Sequence, residues 1–439
     1  MDDDRLKRAT SIKDSYELFD GIYLLGSLQS GVTIYNQQVR AHNLIWALRR
    51  LADESGIEPS SGAVVGGGIG GLTTTACLHS MFPEADVTLF EKQWELCPLQ
   101  LGSDNRWVHP SIYEWPEPGS RSPSSGLPLL NWSEGRASDV ARQVISHFSN
   151  LVSAFQRAPG LYLGTRHLKV EHSNRVVEWL GTSTELRNGF LSYLSASGSK
   201  KKFDVIVLAT GFGVERTSPV SEAGSYWQNE RLAQPSFDGR RTNYLVSGYG
   251  DGALVDLARL RISRFRQDTI VYELFADQLD IDEVELCELK NKIAADPQRA
   301  FDGLSGVFDG PFAHVVEKVR QRLRSDTSVI MHLSGSPQQR KTSISDVFSG
   351  NASFLNKVLF FALYRAGGFT PCFDSLEEAV TDYGIEPRCV LVRHGTDPVE
   401  VLKRTFHDPR AVDDAVCKMR TNEVQSEERC WAPGSFRTS

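Results

Sequence analysis

The chain has 439 residues and a net charge of −7, with 40% hydrophobic and 23% charged residues. That length accommodates two or three domains with full cores, and the acidic balance excludes a general nucleic-acid binder, which needs a basic surface. No run of about 18 apolar residues offers a membrane span, and the opening MDDDRLKRAT lacks the apolar core of a signal peptide. Seven widely spread cysteines without a C-x-x-C pair argue for reduced thiols in a cytoplasmic protein, with neither a zinc site nor a disulfide framework.

In chain order, Val32–Tyr35 reads as a strand and Gln37–Ala52 as an amphipathic helix with Val39, Leu44, Trp46 and Leu48 on its apolar face. This N-terminal stretch is either a packing arm or a place where Gln37, Gln38 and Arg40 meet a ligand or a second subunit. The run Ala63-Val64-Val65 then leads into Gly66, Gly68 and Gly71, the G-x-G-x-x-G spacing, followed by an Ala/Thr-rich helix and a second strand, Val87–Phe90, ending on Glu91 and Lys92. Gly66 permits a tight turn, Gly68 lets the backbone approach a pyrophosphate, and Gly71 lets the helix pack closely. The helix N-terminus favours the phosphates, and Glu91, about 20 residues past the third glycine, accepts from ribose hydroxyls.

Residues 93–135 form an aromatic-rich insertion with Trp94, Trp107, Trp115 and Trp132. Either these rings wall off a flat ligand, or they are core beneath an ordinary loop. Within it, Arg106 is a candidate partner for a pyrophosphate or a reduced flavin, His109 for a proton relay, and Tyr113 for stacking on a planar ring and for catalysis beside His109. Ser138–Phe155 has helical spacing, Leu161–Leu194 reads as short strands, and Phe203–Gly211 is a fully buried strand ending in Ala209-Thr210-Gly211.

A second unit recurs at Asn243–Phe275. Tyr244-Leu245-Val246 leads to Gly248, Gly250-Asp251 and Ala253, and a strand at Thr269–Tyr272 ends on Glu273. The interval from Gly66 to Glu91 equals that from Gly248 to Glu273, which predicts two βαβ units. Glu273 predicts NADH over NADPH, because a carboxylate repels a 2′-phosphate; Arg261, Arg264 and Arg266 nearby are the features that oppose it.

These motifs resemble those of the two-dinucleotide-binding-domain flavoproteins, the thioredoxin reductase-like and flavin monooxygenase-like enzymes, over residues 62–275. Gly66, Gly68, Gly71 and Glu91 match the FAD fingerprint, Ala209-Thr210-Gly211 the strand leaving the FAD domain, and Gly248–Asp256 the NAD(P) fingerprint. The resemblance implies an α/β fold with a Rossmann-like FAD-binding domain at 62–242, a probable NAD(P)-binding domain at 243–340, an N-terminal extension at 1–61 and an unassigned α/β C-terminal region at 341–439. It implies an oxidoreductase that uses FAD and NAD(P)H on a small-molecule substrate or oxygen. Two alternatives stay open: Gly250-Asp251 contacts the FAD ribityl chain instead of a nicotinamide nucleotide, or the protein is a non-enzymatic flavin or nucleotide sensor. The absence of C-x-x-C departs from the disulfide reductases.

The remainder is organised but unnamed. Helices are expected at Asp280–Ala295, Ala313–Leu323 and Phe354–Tyr364, and strands at Thr327–Leu333 and Cys389–Gly395, the latter ending on Arg393 and His394. This region is the place for a protein partner or a homo-oligomer contact, and residues past about Arg420 are expected to fray.

Overall fold

The computed structural model describes every residue except 1, 27, 29–31, 212–217, 236–238, 276–277, 335–341, 422–427 and 437–439. The chain divides into two compact units. The first comprises 1–104, 124–213 and 396–439; the second comprises 105–123 and 214–395. The expected boundary at 242/243 therefore falls near 213/214, the aromatic insertion is split between the units, and the C-terminal region is shared between them.

The first sheet combines short strands with three long ones of 12 or 13 residues. Its strands are β1 (Glu17–Phe19), β2 (Ile22–Leu24), β3 (Ser61–Val65), β4 (Asp86–Phe90), β5 (Gly160–Glu171), β6 (Val176–Arg187), β7 (Phe190–Lys202) and β8 (Val205–Leu208). The order is β1-β2-β8-β3-β4-β5-β6-β7. Strands β2, β8, β3, β4 and β5 run parallel, whereas β5-β6-β7 form an antiparallel meander. The run Val205–Leu208 is buried throughout, as a strand covered on both faces requires.

The N-terminal stretch belongs to this unit. Helix α1 (Asp2–Tyr16) precedes β1, and α2 spans Ile34–Ser55. Val32–Tyr35 is therefore not a strand: Thr33 caps α2, its side chain accepting from the Asn36 N–H at 3.0 Å, and an N-cap hydroxyl fixes a helix start irrespective of the β propensity around it. Helix α3 (Ile69–Met81) follows the first glycine turn, and α4 covers Ala137–Ala154.

The second sheet has four parallel strands, β9 (Thr242–Ser247), β10 (Thr327–His332), β11 (Thr370–Cys372) and β12 (Val390–Val392), in the order β11-β10-β9-β12. Helix α5 (Asp251–Arg261) follows its glycine turn. The segment Thr269–Tyr272 is not a strand; α6 (Ile270–Phe275) occupies it, burying Ile270, Val271, Leu274 and Phe275. That spacing puts all four side chains on one helical face. The next strand in the chain to pair with β9 is β10, reached after a helical insertion, so the matched interval between the two acids is coincidental.

Helix α7 (Phe354–Arg365) is apolar on nearly every face and lies in the second unit's core with Trp115, Phe275 and Phe348. The chain end returns to the first unit, where α8 (Pro398–Thr405) and α9 (Pro409–Thr421) pack Leu402, Phe406, Val412 and Val416 on its sheet. The expected fraying past Arg420 fails for the stretch after the undescribed residues. Asn43 pins Glu428 and Cys430 by two backbone hydrogen bonds of 3.0 Å, and Trp431 and Phe436 pack on His42.

Candidate functional sites at two glycine turns

In the first unit, β3 delivers the chain into Gly66, whose φ is +116°. A Cβ there would lie 2.2 Å from the Ala209 carbonyl oxygen at the end of β8, so only glycine fits. A Cβ on Gly71 would lie 1.8 Å from the Gly66 oxygen; this is the close helix–strand packing the motif requires. Gly68 is the N-cap of α3, with no side chain capping it and nothing within 4 Å of its Cβ position. The exposed donors of that first turn and the helix dipole favour an anion.

Glu91 is buried just past β4, where the sequence places it. Its carboxylate accepts from the Gly67 N–H at 2.6 Å and from the Gln93 N–H at 2.7 Å. Burial pushes its pKa up, while these backbone donors oppose the shift. The Lys92 N–H is a third backbone donor; a carboxylate has about four acceptor sites, so three donors leave one for a ribose hydroxyl. Lys92 is exposed beside it.

The end of β8 carries Thr210, whose Oγ1 is buried without a hydrogen-bond partner among the described residues, and Gly211 at φ +65°. From α2, Gln37 reaches the first turn of α3: its Cβ is 3.7 Å from the Cβ position of Gly70, and its buried Nε2 also has no partner among the described residues. Gln38 has a packing role instead. It donates to Thr73 and the Leu130 carbonyl and accepts from Trp132 Nε1. Arg40 is buried close to Gly26.

The second unit repeats this arrangement. Gly248 has φ +128°, and a Cβ there would lie 2.6 Å from the Arg393 carbonyl oxygen just past β12. Gly250 caps α5 with open space around it, and the Ala253 Cβ is 3.4 Å from the Gly248 Cβ position. In each unit, the first glycine of the turn abuts a carbonyl at the end of the neighbouring strand. Strand order β8-β3-β4-β5 in one sheet matches β12-β9-β10-β11 in the other. Such an order places a topological switch point beside each turn, where open α/β sheets bind ligands.

Several expected site residues are placed elsewhere. Glu273, on α6, pairs with Arg322 at 2.6 Å and accepts from Thr269, far in sequence from the end of β10. Arg261 is buried against the Gly368, Arg324 and Thr327 carbonyls, and Arg266 stacks on Trp107 and pairs with Asp268. Asp251 ties α5 to the start of α7, accepting from the Ser353 N–H and Asn356 Nδ2. Arg106 belongs to the second unit, is 2% exposed, and pairs with Asp256 on α5. Burial opposes its charge, but Asp256 beside it holds its pKa above the ordinary range. Asp256 also receives Arg393 and Arg259; burial works against its charge too, but these arginines bring its pKa down to about 2. Arg106 is thus committed to a buried ion cluster and not to a pyrophosphate.

His109 is buried, and its Nδ1 accepts from the Ser111 N–H at 3.1 Å, capping the turn after Pro110. Burial lowers its pKa, with a hydrogen bond to the Arg121 backbone opposing. Tyr113 packs against the second unit's core, and burial raises its pKa well above the ordinary value. Trp115 and Trp132 are core residues, one in each unit, whereas Trp94 is 49% exposed. Sequence reasoning missed Ser247 and His332, which the fold joins to His394 through hydrogen bonds of 2.6 and 2.7 Å.

None of the seven cysteines forms a disulfide, and no metal-binding group of His, Cys, Asp or Glu is found among the described residues. No helix among them is long and apolar enough to cross a membrane. Compared with known proteins, residues 64–99 match the family described as an NAD(P)-binding Rossmann-like domain. No curated protein matches the chain. The matched stretch runs from the last two residues of β3 through the glycine turn, α3 and β4. The chain therefore carries a dinucleotide-binding domain in an α/β fold, which fits an oxidoreductase.

Proposed function

We propose that the protein is an FAD-dependent oxidoreductase that takes reducing equivalents from NAD(P)H. In this reading the first unit holds FAD at Gly66–Gly71, and the second holds the nicotinamide nucleotide at Gly248–Ala253. The observation that carries it is the repetition of one steric arrangement, a glycine locked against a neighbouring strand end and a second glycine left open, in two sheets of matching strand order. Placement of Gly250-Asp251 at the start of α5, beside a parallel sheet of its own, supports the nicotinamide role over a ribityl contact.

The residues of the first unit suit FAD. The N–H groups of the turn and the α3 dipole receive a pyrophosphate, Glu91 accepts from a ribose hydroxyl, and Lys92 adds a nearby cation. Gln37 Nε2 and Thr210 Oγ1 are buried polar atoms that gain a partner when a polar ligand binds; leaving such atoms unpaired costs about 1–3 kcal/mol each. When bound, FAD supplies the redox chemistry, and the chain supplies orientation and exclusion of water.

The purified protein is expected to show the visible absorbance of oxidised flavin and to bleach anaerobically on adding NADH or NADPH. Colourless protein that takes up no added FAD refutes the flavin assignment. Because the family match is described by NAD(P), the second reading is that the first turn binds that nucleotide directly. Colourless protein that enhances NADPH fluorescence, losing the effect in Gly68→Asp, selects it.

A further inference from the structure

The two sheets differ at one place where their registers coincide. In the first, Val65 pairs with Phe90 and Leu208; in the second, the equivalent positions hold Ser247, His332 and Val392. Two apolar side chains at the carboxyl edge of one sheet are thus replaced by a hydroxyl and an imidazole in the other. Ser247 is fully buried and His332 is 4% exposed. Buried polar groups cost stability unless they are bonded, and these are bonded to each other. Ser247 Oγ lies 2.6 Å from His332 Nδ1 and 2.7 Å from Nε2 of His394, which is exposed at the end of β12.

The direction of these bonds follows from their far end. His332 Nε2 lies 3.0 Å from the Asp374 carbonyl oxygen. A carbonyl only accepts, so Nε2 carries the proton, and Ser334 Oγ at 2.8 Å shares it as a second acceptor. Neutral His332 then has its lone pair on Nδ1, and the Ser247 hydroxyl donates to it. Having given its one proton, Ser247 accepts from His394 Nε2–H. The result is a directed chain from a surface imidazole through a buried hydroxyl to a buried imidazole. Arg393, anchored to Asp256 at 2.8 Å and to the Gly224 carbonyl, fixes the strand end that carries His394.

We propose that His394, Ser247 and His332 form a proton-transfer site for a small molecule with an ionisable hydroxyl, bound beside the nucleotide held at the Gly248–Ala253 turn. This rests on the reading that the second unit binds a ligand at that turn. The step moves protons only. His394 takes the ligand's hydroxyl proton and passes its Nε2 proton to Ser247, whose own proton moves to His332 Nδ1. The ligand is left as the oxyanion and His332 as the imidazolium, its Nε2–H held by Asp374 O and Ser334. Burial lowers the pKa of His332, so the imidazolium is the less favoured state; the hydrogen bond to the Asp374 backbone and the Glu377 and Asp374 carboxylates oppose that shift in part. Among the described residues, Cys372, hydrogen-bonded to the Asp374 carboxylate, and Arg393 also lie beside this relay.

The test is histidine-ring NMR on the full chain, without nucleotide, for wild type, Ser247→Ala and Ser247→Thr. In wild type, protonation of His394 is expected to displace the His332 ring resonances. Ser247→Ala is expected to abolish this coupling with an unchanged circular dichroism spectrum, and Ser247→Thr to restore it. The pH profile of NADPH consumption gives the second readout: a fall of about 100-fold in Ser247→Ala, of the size general acid–base groups contribute, with threonine recovering most of the rate. His332 titration that is identical in wild type and Ser247→Ala overturns the proposal, as does an unchanged rate and profile. A wild type that consumes no NADPH refutes the oxidoreductase reading, while the NMR coupling still decides the relay.

Discussion

Acidification should destabilise the first unit before its lowered carboxylates, Asp86 and Asp204, are protonated, because of two buried histidines. His42 on α2 is fully buried; its Nδ1–H donates to the Gln38 carbonyl at 2.8 Å, and it lies against Trp431 and Phe436. His79 on α3 is 3% exposed and stacks on Phe155 with ring centroids 4.5 Å apart. Burial lowers both pKa values to about 4 from an ordinary 6.5. A histidine depressed in this way binds fewer protons folded than unfolded, so stability is full above about pH 6.5 and declines as pH falls toward 4. At pH 5 the unfolded imidazole lies about 1.5 units above the ambient pH, and at about 1.36 kcal/mol per unit each histidine costs about 2 kcal/mol. Together they remove about 4 kcal/mol, a large share of the 5–15 kcal/mol typical of a folded domain. Asp86 and Asp204, whose pKa values are lowered, give up their contributions only below about pH 4. Raised Glu91 works in the opposite sense, gaining stability as pH falls. Urea unfolding near pH 7 and near pH 5, for wild type, His42→Gln and His79→Gln, isolates the effect. Each variant should lose about half of the pH dependence whatever its stability at neutral pH. A wild type equally stable at both values, or variants retaining the full dependence, would falsify this reasoning.

Three further outcomes are expected. Gly71→Ala places a methyl group 1.8 Å from the Gly66 oxygen, so the helix must shift and FAD should be lost on gel filtration; full flavin content in a folded variant rules out the steric role. Asp256→Asn leaves Arg106, Arg259 and Arg393 around a neutral group and should cost about 3–5 kcal/mol in chemical denaturation; a loss under about 1 kcal/mol shows that the cluster is screened. In the second unit Leu333, buried just past β10, takes the position that Glu91 holds past β4. With no carboxylate there to repel a 2′-phosphate, NADPH should reduce the flavin at least as fast as NADH in stopped-flow absorbance, reversing the preference that Glu273 suggested; tenfold faster reduction by NADH contradicts this.

The first glycine turn was legible because its requirements are local. Gly66, Gly71 and Glu91 each answer a steric or hydrogen-bonding demand set within one βαβ unit, and a strand, a helix and a strand of ordinary length surround them. The second turn was legible for the same reason as far as Ala253. Its next strand was not, because Thr269–Tyr272 is a short apolar run that periodicity cannot assign by itself, although Ile270, Val271, Leu274 and Phe275 already carry the helical spacing. Val32–Tyr35 was misread on β propensity, which a single N-cap hydroxyl overrode. Arg106, His109 and Tyr113 were grouped by their nearness in sequence to the first βαβ unit, yet the chain spends them on the second, where Asp256, Ser111 and the apolar core receive them. The sequence by itself determined the two glycine turns, since glycine geometry is written residue by residue. Only the tertiary structure decided that Ser247, His332 and His394 meet, because parallel strands bring together residues separated by whole helical insertions, and no local pattern records which strand ends become neighbours.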